Sequence, residues 1–415
     1  DITQLGRAGV SGFFTEGGGK TSHAALVARA LGLPLVAGVQ DFIKHIRSGM
    51  TVIVDGGRGE VILEPDFGVQ ERFADRAARD LVQAERLAKA REAPAATLDK
   101  VRVQLAANVE LLEEIPISAE LGADSVGLFR TEFLYLERTT LPTEEEQYQH
   151  AVAALRAMEG RSVVFRTLDL GGDKLPMSVR IPAGNNPALG LRSIRYSLWR
   201  RDLFRSQLRA FYRAAATGPL RIMFPLISGV AEMRVVREVC ADVCQELARD
   251  GIEHDPKVPL GAMIETPSAA VIVDLLCKEC EFLSIGTNDL IQYALAADRQ
   301  DEHVGYLYHP LHPAILRFIQ TVVKASDRCG KPIAMCGDMA GDPRFSWVLL
   351  GLGLRALSMA PRQIPMVKSI IRATRLGEAE KLVEEIMALA TEEEIEEVVN
   401  RSMRHRFPLE FSEET

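Results

Sequence analysis

Beyond residue 100 the chain alternates short apolar segments with longer stretches of helical periodicity. A run apolar on both faces, too short for a helix and flanked by helical segments, is the pattern of a parallel strand buried between helices. Such strands are predicted at 103–108, 125–129, 163–166, 221–226, 260–264, 282–286, 332–335 and 356–359. Eight parallel strands alternating with helices predict an α/β fold of the (β/α)8 TIM-barrel type.

The pattern ahead of residue 100 differs. Glycines 17–19 lead into an apolar helix at 23–30, followed by short strands at 35–39 and 51–54. Turn residues Asp55, Gly56 and Gly57 predict a hairpin continuing into 61–63. Residues 70–93, rich in Ala, Arg, Glu, Lys and Leu and free of glycine and proline, read as a solvated helical linker that Pro94 ends. The expected organisation is a partial α/β unit at 1–65, a linker at 66–97 and a barrel at 98–415.

Composition narrows the function classes. At 47% hydrophobic residues the chain carries enough apolar surface to exclude disorder, and 49 basic against 57 acidic side chains leave no electrostatic footprint for nucleic acid. No apolar run approaches the roughly 18 residues of a membrane helix. Six cysteines, all in the second half, do not form the framework of a secreted disulfide protein, so a cytoplasmic location is expected. The first residue is Asp1 rather than Met, which points to a segment of a longer protein.

Barrel enzymes place their chemistry at the C-terminal ends of the strands. Here those positions hold Asn108, Arg130, Arg166 with Asp169, Glu265, Asn288 with Asp289, and Cys336. Arg130, Arg166, Arg192 and Arg299 together would clamp a small polyanion, since guanidinium pairs bidentately with carboxylate and phosphate; each alone could equally serve a structural ion pair. Glu265 and Asp289 offer two hard oxygen ligands for Mg²⁺, helix capping being the competing role for the segment 288–289. Cys336 could give a proton to an enolate, because an ordinary thiol with a pKa near 8.5 is protonated at neutral pH, although a buried structural cysteine is the commoner case.

In the first unit, His23 follows Gly17-Gly18-Gly19-Lys20-Thr21-Ser22 at a predicted helix start. Free backbone N–H groups and the positive end of the helix dipole suit a phosphate there and keep the imidazole neutral; a capping histidine is the alternative. A Walker A loop is excluded by spacing, since its first glycine would fall at Phe14. Cys240 with Cys244, Cys277 with Cys280, and His309 with His312 are weak zinc motifs, the cysteines falling on predicted helices and the histidines in a proline-rich loop.

The segment 17–25 resembles the phosphohistidine signature of enzymes that use phosphoenolpyruvate, and 282–293 running on to Asp298-Arg299 resembles their barrel signature. Within that superfamily, the stretches 127–133, 141–147, 166–174 and 186–195 are most similar to the enzyme I family of the bacterial phosphotransferase system, and the likeness extends over nearly the whole chain. The resemblance implies that His23 carries the phosphoryl group, that Arg130, Arg166, Arg192, Arg299 and Asn288 bind phosphoenolpyruvate, that Glu265 and Asp289 hold Mg²⁺, and that Cys336 protonates enolpyruvate to pyruvate. It further implies a swivelling phosphohistidine domain, a homodimer through the barrel and an HPr-type carrier protein as acceptor. Asp338 stands where the family usually has Glu, which bears on the setting of the thiol. The family also places a helical acceptor-binding domain ahead of the segment where this sequence begins. Two alternatives stay open on sequence: an ATP-dependent dikinase or synthase, and a nitrogen-regulatory phosphorelay paralogue.

Overall fold

The computed structural model describes residues 10–18, 25, 28, 33–89, 91, 93–135, 140–170, 186–299, 301–408 and 410–411. The chain divides into two compact units, Asp1–Arg86 and Leu87–Thr415.

In the first unit, β1 (Phe13–Thr15) pairs in parallel with β2 (Leu35–Ala37), and β3 (Val52–Asp55) forms an antiparallel hairpin with β4 (Glu60–Leu63). The turn follows from its residues: the Asp55 carboxylate accepts from the backbone N–H of Gly57 at 2.9 Å and of Arg58 at 3.0 Å. Strand β1 was not expected, since three residues are too few to show a period. Ala25 and Ala28 are helical, while the rest of the segment expected as a helix at 23–30, including His23, lies outside the described residues. Helix α1 (Phe67–Lys89) begins and ends earlier than the expected 70–93, because Asp66 accepts from the Val69 N–H at 2.8 Å and starts it sooner.

The second unit is a closed barrel of eight parallel strands. In chain order they are β5 (Gln104–Val109), β6 (Ser125–Phe129), β7 (Val163–Arg166), β8 (Leu220–Phe224), β9 (Leu260–Ile264), β10 (Phe282–Ile285), β11 (Ile333–Met335) and β12 (Ala356–Met359). Strand β12 closes the ring on β5, from Ala356 opposite Gln104 to Met359 opposite Ala107. Four strands keep their expected bounds; β8 stops short of residue 226 because Leu226 takes a left-handed backbone, φ 55°.

Alternation along the strands decides what reaches the site. Leu128, Val164, Met223, Met263, Phe282 and Cys336 form one buried cluster inside the lumen. Their strand neighbours Phe129, Phe165, Ile222, Ala262, Ile264, Leu283 and Ile285 pack outward into the main core beneath the helices. With a two-residue period, the lumen-facing position after Leu128 is Arg130, after Val164 is Arg166 and after Met263 is Glu265. The apolar lumen therefore gives way to charge at the C-terminal mouth. Outside the strands, helix α2 (Glu144–Ala157) starts with a capping box, in which the Thr143 hydroxyl accepts from the Glu146 N–H and the Glu146 carboxylate accepts from the Thr143 N–H.

Among the described residues, no helix is long and apolar enough to cross a membrane. The six cysteines are free thiols, and no group of three His, Cys, Asp or Glu side chains is arranged around a metal-sized site among those residues.

Candidate active site at the barrel mouth

Arg166 closes β7, and its guanidinium pairs with Glu132 at 3.1 Å and Asp169 at 2.8 Å. Arg192, just ahead of the short helix Ser193–Trp199, pairs with the same Asp169 at 3.1 Å and with Asp289 at 3.0 Å. A continuous ladder results, Glu132–Arg166–Asp169–Arg192–Asp289, with opposite charges alternating across separate strand ends. Arg192 also donates to the Tyr293 hydroxyl at 3.0 Å, which in turn donates to the Ala188 carbonyl and ties down the segment before Arg192. Arg130 pairs with Glu110.

The ladder is desolvated but not saturated. Burial alone would raise the Asp169 carboxyl, yet Arg166 and Arg192 outweigh it and hold the group below the usual carboxylate range. The Nε atoms of Arg166 and Arg192 are buried without a hydrogen-bond partner among the described residues. Buried donors left unmade are costly, so these two mark where a further acceptor belongs.

Glu265 ends β9, is 3% exposed, and accepts from the Leu226 N–H. Burial, then repulsion from Asp289 and Asp169, pushes its carboxyl up to about 8. Gly286 is required beside it: a Cβ at that position would stand 2.7 Å from Glu265 Oε2. Asp289 lies in the first turn of helix α3 (Thr287–Leu295) and is 7% exposed. Two buried carboxylates that repel one another fit a hard divalent cation, and as only two protein ligands they leave its remaining positions to substrate oxygens and water.

Asn288 and Arg299 stand apart from the ladder. The Asn288 side-chain oxygen accepts from the Asp338 N–H at 2.9 Å, and its carbonyl accepts from the Tyr308 hydroxyl at 3.1 Å. Arg299, exposed, reaches that same hydroxyl. Asp338 thus touches the site through its backbone.

Cys336 is buried, its Sγ accepting from the Ser284 hydroxyl at 3.2 Å. Asn108 donates to the Cys336 carbonyl at 2.9 Å and is itself oriented by Ser358, whose hydroxyl donates to the Asn108 side-chain oxygen at 2.6 Å. Burial pushes the thiol up to about 11, with Glu265 adding to the rise and the Ser284 hydrogen bond opposing it. The thiol therefore keeps its proton at neutral pH.

The structure brings Arg130, Arg166, Arg192, Glu265, Asp289 and Cys336 to one end of the barrel, with Asn288 and Arg299 at its rim; His23 lies outside the described residues. Sequence reasoning passed over the counter-ions Glu110 and Glu132, and also Tyr293 and Ser284. Two signals could have found the last pair: Tyr293 is four residues beyond Asp289 on one helix, and Ser284 shares the lumen face with Phe282.

Residues 1–59 match the family model for the PEP-utilising enzyme mobile domain, and residues 84–376 match that for the PEP-utilising enzyme PEP-binding domain. Phosphoenolpyruvate-protein phosphotransferase of Priestia megaterium is 44% identical over 399 residues, spanning 96% of this chain and 70% of its own length. Those of Bacillus subtilis (strain 168) and Staphylococcus aureus (strain MSSA476) are 43% and 41% identical over 404 residues, each spanning 97% of this chain and 71% of its own. With matching mobile and PEP-binding domains and a barrel mouth lined by paired arginines, the chain belongs to the family of PEP-utilising enzymes.

Proposed function

We propose that the chain transfers the phosphoryl group of phosphoenolpyruvate to its own His23, releases pyruvate, and hands the phosphoryl group to an HPr-type carrier protein of the phosphotransferase system. The observation that carries this most strongly is the ladder at the mouth, where two buried arginines keep Nε donors that have no partner among the described residues and can take an anion.

In the forward step the bond between phosphorus and the enol oxygen breaks as one forms between phosphorus and the His23 ring nitrogen. Arg130, Arg166, Arg192 and Arg299, with Asn288, hold the substrate's phosphate and carboxylate, and the preset guanidinium charges need no reorganisation as negative charge shifts toward the leaving oxygen. The enolate left behind takes its proton at carbon from Cys336, whose burial keeps that proton available. Mg²⁺, held by Glu265 and Asp289, would supply charge neutralisation on the transferring group. Since His23 and the arginines belong to different units, the reaction requires one to reach the other; with the expected organisation of 1–65, 66–97 and 98–415, that swivel falls to the helical linker. The same proposal takes the working form to be a cytoplasmic homodimer joined through the barrel.

The test is incubation of the chain with phosphoryl-labelled phosphoenolpyruvate and Mg²⁺, and separately with γ-labelled ATP. Acid-labile label from phosphoenolpyruvate, matched by pyruvate, is expected. Label from ATP instead would point to a dikinase or synthase.

A further inference from the structure

The opposite, N-terminal end of the barrel holds a cavity of about 590 Å³ between the helices Arg201–Ala215 and Val230–Arg249 and the starts of β8, β9 and β10. Its size is that of a metabolite site. Tyr212, Cys240, Pro259 and Leu260 supply largely apolar walls. The charges facing it are Arg221, Arg237, Lys257 and Glu281. Three cations against one carboxylate is a local reversal of sign on a chain whose net charge is -8.

That one carboxylate is already committed. Glu281 accepts from Arg237 at 3.2 Å and from the Leu260 N–H at 2.9 Å. Lys257 is exposed at the rim. Arg221 is half-buried, with its guanidinium 3.9 Å above the Phe282 ring, and it also borders a small, mainly apolar cavity of about 70 Å³ in the barrel floor, to which Gln104, Ser125 and Ser358 add polar groups. Among the described residues no carboxylate pairs with it, whereas the neighbouring Arg205, Arg209, Arg213 and Arg237 all have one. Desolvation with no compensating charge accordingly lowers its pKa.

A desolvated guanidinium with five donors and no acceptor, at the back of a metabolite-sized cavity with a second cation at the rim, is a site for an anion. We propose that this cavity binds a small organic acid, whose carboxylate or phosphate pairs with Arg221 while its body lies against Tyr212 and Leu260, at a site separate from the phosphoenolpyruvate site at the other end of the barrel. The inference does not depend on the function proposed above.

Isothermal titration of the full chain with inorganic phosphate, glycerol 3-phosphate and succinate tests it, the last two separating phosphate from carboxylate recognition. Binding at the barrel mouth is identified as the component lost in Arg192→Ala. A second component is expected to persist in that variant and to weaken about tenfold or more in Arg221→Met, the loss of a charge-assisted bidentate pair. Lys257→Ala should weaken it less, and phosphoenolpyruvate-dependent labelling by Arg221→Met should be unchanged. If Arg221→Met does not fold, Arg221→Lys, which keeps the charge but loses the fork, takes its place with a several-fold loss expected. The proposal is overturned if no second component exists, or if the Arg221 and Lys257 variants titrate like the native chain.

Discussion

Arg166 and Arg221 sit on adjacent strands and border the same lumen, one at its mouth and one at its floor, yet their surroundings are opposite. Arg166 has a carboxylate on either side and belongs to a ladder that runs from Glu132 to Asp289. Arg221 lies over an aromatic ring with no carboxylate beside it among the described residues. Buried arginines at the mouth are compensated in advance, so charge can be concentrated there without unfolding the strand ends; the floor arginine relies on partial exposure and ring contact alone. The mouth is therefore a cooperative unit, in which removing one member strands the others.

The largest effect expected from that difference is Arg166→Ala. It leaves Glu132 and Asp169 buried against each other, at a cost of about 3–5 kcal/mol in denaturant unfolding, and it abolishes labelling from phosphoenolpyruvate. A loss below about 1 kcal/mol would break the contrast with Arg221.

Cys336→Ala comes next, with pyruvate formation falling roughly 10²–10⁴-fold, the usual worth of a positioned acid. A pH signature accompanies it. The folded thiol's pKa is raised to about 11, so the folded state favours the protonated form, and that advantage, complete below the ordinary thiol pKa, declines as pH rises above it and is gone past about 11. Iodoacetamide at mildly alkaline pH should therefore modify exposed Cys329 and spare Cys336 in peptide mapping. Equal labelling of the two would contradict the burial argument.

A smaller effect is expected of Ser284→Ala. Loss of its hydrogen bond to the sulfur destabilises the thiolate left after proton donation, slowing pyruvate formation roughly fivefold, or about 1 kcal/mol, and shifting Cys336 alkylation to still higher pH. The least is expected of Arg221→Met, which orphans no carboxylate and should alter unfolding free energy by less than about 1 kcal/mol.

Much of this architecture is readable in the sequence, for physical reasons. Parallel strands covered on both faces are largely apolar, so runs such as 260–264 stand out from the helices around them. The same burial makes a charged residue at the C-terminal end of a strand conspicuous, which is why Arg166 and Glu265 stand out in the sequence. Their partners could not. Glu110 and Glu132 fall just past strand ends, where acidic residues are ordinary, and only closure of the ring gives them a role. Arg221 lies at the start of its strand, away from the mouth, where a charge gives no functional signal in sequence; that no carboxylate meets it among the described residues is a fact of three dimensions. Strand β1 escaped notice because its three residues gain their conformation from pairing with β2 rather than from their own pattern.

The central claim is that the phosphoryl group of phosphoenolpyruvate is accepted by His23, and replacing that residue tests it most directly. His23→Ala, incubated with phosphoryl-labelled phosphoenolpyruvate and Mg²⁺ beside the native chain, is predicted to retain no covalent label while unfolding at the same denaturant concentration. Covalent label retained by the variant at the native level would contradict the account.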